Sequence, residues 1–136
     1  LKDLITAALA RVDVRIMIPR HSDSVLLNYA SSSYITECLR AGVKIYFYEP
    51  GMLHSKAIII DDEFVTIGST NFDFRSFEHN FEGNLFFYSR EFNERMLAVY
   101  RDDLAQCTRV TPSGWRRRPL PRRALESVVR LLSPIL

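Results

Sequence analysis

Cysteine is scarce in this 136-residue chain: Cys38 and Cys107 stand alone, without C-x-x-C spacing. A disulfide framework is therefore excluded, and both read as reduced thiols inside helices, in a reducing compartment. Histidine is nearly as sparse. His21 and His79 show no metal-ligand spacing with each other or with cysteine, so no metal site is expected. Apolar residues make up 47% of the chain, yet no run approaches the roughly 18 that a membrane span needs. There is no internal repeat and no low-complexity segment. With 25% charged residues and 15.8 kDa, the composition is that of an ordinary globular domain, large enough for one real core and too short for two.

Charge is plentiful but unevenly placed. Residues 1–108 hold 11 Lys and Arg against 15 Asp and Glu, whereas residues 109–136 hold 7 against 1. The body is mildly acidic and the tail strongly basic. A nucleic-acid binder spreads positive charge over its folded surface, so nucleic acid is disfavoured as a partner. A basic end that carries the single tryptophan, Trp115, suits an anionic membrane surface.

Leu1, Leu4, Ile5, Ala8 and Leu9 share a helical stripe, but that first helix has neither a capping residue nor a leading methionine, as expected of a piece cut from a longer chain. Val12, Val14 and Ile16 alternate with polar neighbours and predict a strand that runs to Ile18 and stops at Pro19. Ser22, Asp23 or Ser24 is placed to cap a helix over Val25 to Ala41, with Leu27, Ala30, Tyr34 and Cys38 on its apolar stripe and Gly42 at its end. Val43 to Tyr48 predicts the next strand, and Pro50-Gly51 a turn. Strand, helix, strand is a crossover unit, which implies an at least partly parallel sheet. Further on, Asp73 can cap a short helical turn, Asn84 to Tyr88 reads as a strand, and Ser89 caps a helix over Arg90 to Cys107. Phe92, Met96, Val99, Tyr100 and Leu104 would face inward from it. The expected fold class is α/β, a mixed β-sheet with packed helices.

Between these elements lies H-S-K-A-I-I-I-D-D-E-F-V-T-I-G-S-T-N, His54 to Asn71. Ala57 to Ile60 reads as a short, fully buried strand, and Phe64 to Ile67 as its antiparallel return after the D-D-E turn. His54 and Lys56 are two apart and share a face if the backbone is extended. Gly68 lets the backbone bend, so that Ser69 and Asn71 approach that face from the other side. Imidazole, ammonium, hydroxyl and carboxamide together suit a phosphate, and an ammonium taken from water needs an anion nearby.

The pattern H-x-K-x4-D (His54, Lys56, Asp61), then G-S-x-N (Gly68, Ser69, Asn71) and D-F-R-S-F-E-H-N-F-E-G-N (Asp73 to Asn84), resembles the phospholipase D superfamily. Within it the chain is most similar to the C-terminal half of the bacterial cardiolipin synthases, over essentially its whole length. The resemblance implies a phospholipase D-like half-domain and chemistry without a cofactor or divalent ion. It implies that His54 attacks phosphorus, giving a phosphohistidine that a second alcohol or water resolves. It assigns Glu82, in N-F-E-G-N, to orienting that histidine. Lys56 and Asn71 would hold the non-bridging oxygens as charge builds on them, and Ser69 would bond phosphate or brace the turn. Asp61, five residues beyond Lys56 and roughly 16 Å along a strand, points away from the chemistry and is structural, as is Gly68. Asp73, Arg75 and Glu78 read as an ion-pair cluster beneath the site.

One imidazole cannot both attack phosphorus and protonate the departing alkoxide. The superfamily resemblance supplies the partner from the other half of the same chain or from a second subunit. A missing N-terminal half with a second motif, or a homodimer partner, is therefore expected, and the isolated chain should be inactive or weakly active. The expected function is phosphatidyl transfer between phospholipids, as in cardiolipin synthesis. A hydrolytic phosphodiesterase, either phospholipase or nuclease, is the alternative, and a non-catalytic packing half the third reading. Residues 1–110 would form the domain and residues 111–136 a basic amphipathic tail. In that tail Trp115 to Arg118 and Arg122-Arg123 precede an apolar face of Leu125, Val128, Val129 and Leu132, with Glu126 and Arg130 opposite. This face would pack on the domain or the missing half, or dock on an anionic membrane, with Pro134 limiting the helix. The chain would then sit peripherally at the cytoplasmic membrane.

Overall fold

The strand over Arg15–Pro19 and the helix over Val25–Ala41 organise the first part of the chain. The computed structural model describes residues 1–20, 25–71 and 80–119. They fall into two units, Leu1–Met52 with the segment from Cys107 onward, and Leu53–Gln106. The candidate caps Ser22, Asp23 and Ser24, the Asp73 turn with Arg75 and Glu78, His21, His79 and the tail face from Leu125 onward lie outside the described residues.

The first unit contains helix α1 (Lys2–Leu9), strand β1 (Arg15–Pro19), helix α2 (Val25–Ala41), strand β2 (Lys44–Tyr48), strand β6 (Cys107–Arg109) and helix α4 (Pro112–Arg116). Its sheet has the order β1-β2-β6, parallel between β1 and β2 and antiparallel between β2 and β6. The strand-helix-strand crossover and the mixed sheet expected from the sequence are both present. α2 stops at Ala41 because Gly42 takes a left-handed backbone (φ 95°) that a side chain would resist. Its stripe reaches the core through Cys38, which packs with Ile35, Val43, Ile45 and Val110. Burial pushes the Cys38 thiol above its ordinary range.

Two expectations in this unit are corrected. β1 begins at Arg15 rather than Val12, since its partner β2 begins at Lys44, opposite Arg15, and Val12 is left exposed. Cys107 lies in β6, not in a helix, because residues 107–109 pair with Tyr48 to Tyr46 of β2. At the start of the sheet Asp13 receives Arg15 at 2.7 Å and Lys44 at 2.8 Å. Those two cations, Arg15 foremost, hold its carboxyl well below the usual carboxylate range.

The second unit is an antiparallel meander, β3 (Lys56–Ile60), β4 (Phe64–Gly68) and β5 (Asn84–Tyr88), with helix α3 (Arg90–Leu104). Ser89 caps α3 as expected, its hydroxyl accepting from the Phe92 N–H. β3 is not fully buried: Ala57 is exposed and Ile60 is 48% exposed, because among the described residues β3 pairs on one side only. Val65 of the central strand is wholly buried, and Phe87 of β5 meets Phe92 of α3 at 4.3 Å between ring centres. α3 ends at Leu104, and Val99 faces solvent rather than the core. Its fully buried residue is Asn93, whose amide donates to the Phe64 carbonyl at 3.1 Å. That bond ties the helix to the first residue of β4.

Candidate functional site

Register builds the site. Lys56 stands opposite Gly68, and Gly68 opposite Asn84, so the three strands of the meander end level with one another. His54 and Ser55 enter at that end, Ser69 to Asn71 leave from it, and Glu82 and Gly83 return to it. Asp61 sits at the opposite end, opening the turn after Ile60 with φ 49°, a left-handed backbone that aspartate tolerates better than most residues.

Lys56 folds back onto His54. Its Nζ lies 2.9 Å from His54 Nε2 and donates to the His54 carbonyl at 2.8 Å. A lysine ammonium has only donors, so this contact suits the neutral imidazole tautomer whose Nε2 accepts and whose Nδ1 carries the proton. The lone pair of Nε2 thus points at the Lys56 ammonium. His54 is exposed and Lys56 half-buried.

Opposite them, Ser69 clasps two strand ends. Its hydroxyl donates to the Glu82 carboxylate and accepts the Gly83 N–H at 3.0 Å, while the Ser69 N–H donates to the Gly83 carbonyl at 3.0 Å. Asn80 donates to the other Glu82 oxygen at 3.1 Å. Asn84 donates to Thr70 across the same seam. Gly68 admits this closure: a Cβ there would collide with the Asn84 side chain and the Gly83 carbonyl and lie 2.7 Å from the Asn84 Cα.

The structure therefore brings His54 to Lys56 and Ser69 to Glu82, all at one end of the meander. The hydrogen bonds described for Glu82 run to Ser69 and Asn80. Asn71 is exposed just beyond Ser69, without a described hydrogen bond. Asn80, Gly83, Asn84 and Thr70 were missed as bracing groups. The segment N-F-E-G-N held the signal, but only the β4-β5 register shows that it closes on Ser69 and Thr70.

A solved structure titled as a phospholipase D family member, Nuc from Salmonella typhimurium, matches with TM-score 0.70 and 25% identity, over 81% of this chain and 72% of that one. The fold is that of the phospholipase D class. A family model described as "Cardiolipin synthase, PLD-like domain" matches residues 1–104, and the chain belongs to that family. A cardiolipin synthase of Geobacillus sp. (strain WCH70) is 45% identical over 139 residues, 99% of this chain and 28% of its own length. Cardiolipin synthase 2 of Bacillus anthracis is 45% identical over 136 residues, 100% of this chain and 26% of its own. The chain spans about a quarter of the length of these curated relatives, in their C-terminal part.

Proposed function

We propose that this chain supplies a histidine half-site for phosphatidyl transfer between phospholipids in cardiolipin synthesis. The observation that carries the reading is the Lys56 ammonium 2.9 Å from His54 Nε2, at the level end of the three strands. When a phosphodiester arrives, its non-bridging oxygen competes for Lys56 and frees the Nε2 lone pair. The P–N bond forms as the bond from phosphorus to the leaving alcohol's oxygen breaks, and a general acid protonates the departing alkoxide. The acceptor hydroxyl then attacks phosphorus, the P–N bond breaks, the electron pair returns to His54, and the hydroxyl proton passes to the conjugate base of that acid.

Lys56 and Asn71 offset charge on the oxygens during both steps. Ser69 and Glu82 hold the adjoining strand ends, and Glu82 is the candidate for steadying the His54 ring. The general acid comes from a second half of the same protein or from a second copy. Support for such a partner is the flank of β5, an edge strand among the described residues, with Leu85, Phe86 and Tyr88 exposed by 65, 62 and 82%. The site needs no cofactor for this sequence of bonds. Among the described residues no helix is long and apolar enough to cross a membrane. Residues 1–110 act as the domain and residues 111–136 as a basic tail that holds it peripherally at an anionic, cytoplasmic membrane face.

Thin-layer analysis of products from labelled phosphatidylglycerol, using the full-length parent protein, tests the reading. Cardiolipin together with glycerol is expected. Phosphatidic acid alone would replace transfer with hydrolysis, and activity unaltered by loss of His54 would leave the chain a packing half.

A further inference from the structure

The sheet of the second unit has two unlike faces. One carries Ile59, Val65 and Phe87 side by side, and α3 closes over it: Val65 is wholly buried and Phe87 meets Phe92. The other face begins with Lys56, because side chains alternate along each strand and directly paired residues share a side. On that face Ile60, Phe86 and Tyr88 are all exposed.

Its rows change in chemistry along the strands. In the first row, at the level end of the meander, Lys56 and Asn84 flank Gly68, and the Lys56 Nζ reaches His54. The second row is Ile58, Thr66 and Phe86, and the third is Ile60, Phe64 and Tyr88, so no charged side chain lies beyond Lys56 on the paired strands. Phe64 joins the rows: its ring centre is 6.1 Å from that of Phe86 and 5.0 Å from that of Tyr88, which it meets edge-on. The result is a contiguous apolar strip, roughly 13 Å long from Lys56 to the third row at 3.3 Å per residue. Contiguous exposed apolar surface of this kind favours any ligand that takes it out of water.

We propose that this strip holds an acyl chain of the phospholipid whose phosphodiester lies at His54 and Lys56. A cation at one end with a hydrocarbon wall running away from it repeats the order of groups in the ligand, a phosphate followed by an apolar chain. An acyl chain makes no hydrogen bonds and is held by apolar contact alone, and beyond the first row the face offers hydroxyls only, on Thr66 and Tyr88. The inference rests on the half-site reading of His54 and adds to it the place of the hydrocarbon. Phe86 and Tyr88 then become specificity-determining residues, and a phosphodiester without acyl chains becomes a poor ligand.

Isoleucine methyl resonances locate the ligand, because Ile58 and Ile60 lie on this face and Ile59 on the other. The full 136-residue chain is titrated with dihexanoyl phosphatidylglycerol below its micelle concentration and, separately, with glycerophosphoglycerol, the same diester without acyl chains. Saturable shifts at Ile58 and Ile60 are expected from the lipid alone, with Ile59 little moved. Phe86→Ser and Tyr88→Ser should each weaken lipid binding about tenfold, with circular dichroism verifying the fold and Phe86→Leu recovering most of the loss. Val99→Ser, which removes an exposed apolar side chain from α3, should titrate like wild type, and Lys56→Gln should weaken the lipid as well. Equal affinity for the two ligands with Ile58 and Ile60 unmoved, or no saturable binding of the lipid, would overturn the inference and leave the reading of His54 standing. Shifts at those methyls that follow protein concentration without lipid would give the face to a second copy and overturn it too. Lipid binding that moves Ile58 and Ile60 but is untouched by Lys56→Gln would overturn the half-site reading, and the inference with it.

Discussion

His54 and Asp61 belong to one sequence motif but sit at opposite ends of β3. On the proposed reading, in which His54 is the nucleophile, His54→Ala should lower turnover by several orders of magnitude in the complete enzyme, whereas Asp61→Ala should act mainly through stability. Steady-state rates beside urea midpoints separate the two, and a His54→Ala variant retaining more than roughly a tenth of the wild-type rate would remove the nucleophile assignment. A second residue, Asp13, gives a pH signature. Arg15 and Lys44 hold its folded-state carboxyl below the ordinary range, so its contribution is complete above about pH 4 and declines as pH falls through that value towards the folded one. Asp13→Asn should therefore be less stable than wild type at pH 7 by under about 1 kcal/mol, the size usual for exposed pairs. The gap should narrow at pH 3, and a gap that widened there would contradict the assignment. The Asp13 comparison needs only denaturant melts at two pH values.

Among elements, β4 and its closing glycine carry the sharpest expectation. Gly68→Ala must push β5 aside or leave the Ser69 clasp open, since the added methyl meets backbone as well as the Asn84 side chain. A loss of at least about 1–3 kcal/mol is expected, visible as a lower urea midpoint, and an unchanged midpoint would mean that the strand ends do not lie this close. Much at this scale was legible beforehand. The α2 bounds follow from an apolar stripe and Gly42, and β5 from its apolar run between Asn84 and Ser89. What stayed hidden was tertiary. An apolar run such as Ala57 to Ile60 does not tell a central strand from an edge strand, and the periodicity of α3 favours Val99 over Asn93. Asn93 is buried because the Phe64 carbonyl, 29 residues away, takes its amide hydrogen. Likewise, Cys107 to Arg109 has too few residues to show alternation, and only pairing with β2 makes it a strand. At the site, the spacing of His54 and Lys56 foretold their meeting, although His54 precedes β3 and the contact comes from Lys56 folding back. The Ser69–Glu82 bond spans 13 residues and needed the β4-β5 register.

For the whole molecule, the reading of one histidine per half-site makes catalysis depend on a second body. The isolated 136-residue chain should turn over phosphodiesters slowly or not at all, and any rate should rise faster than linearly with concentration where copies associate. Sedimentation run beside a phosphodiester assay checks this; robust turnover, linear in concentration, from a monomer would require an acid within this chain. The position of β5 also bears on how the polypeptide is made. Residues 84–88 leave the ribosome before residues 90–104, so the strand emerges ahead of the helix that carries Phe92 against Phe87. For that interval the Phe87 face of the strand lacks its cover and is open to any neighbouring nascent chain. Holding factors that recognise extended apolar segments would find their target at Leu85 to Tyr88, and slower elongation through α3 would lengthen the time for which that target is offered.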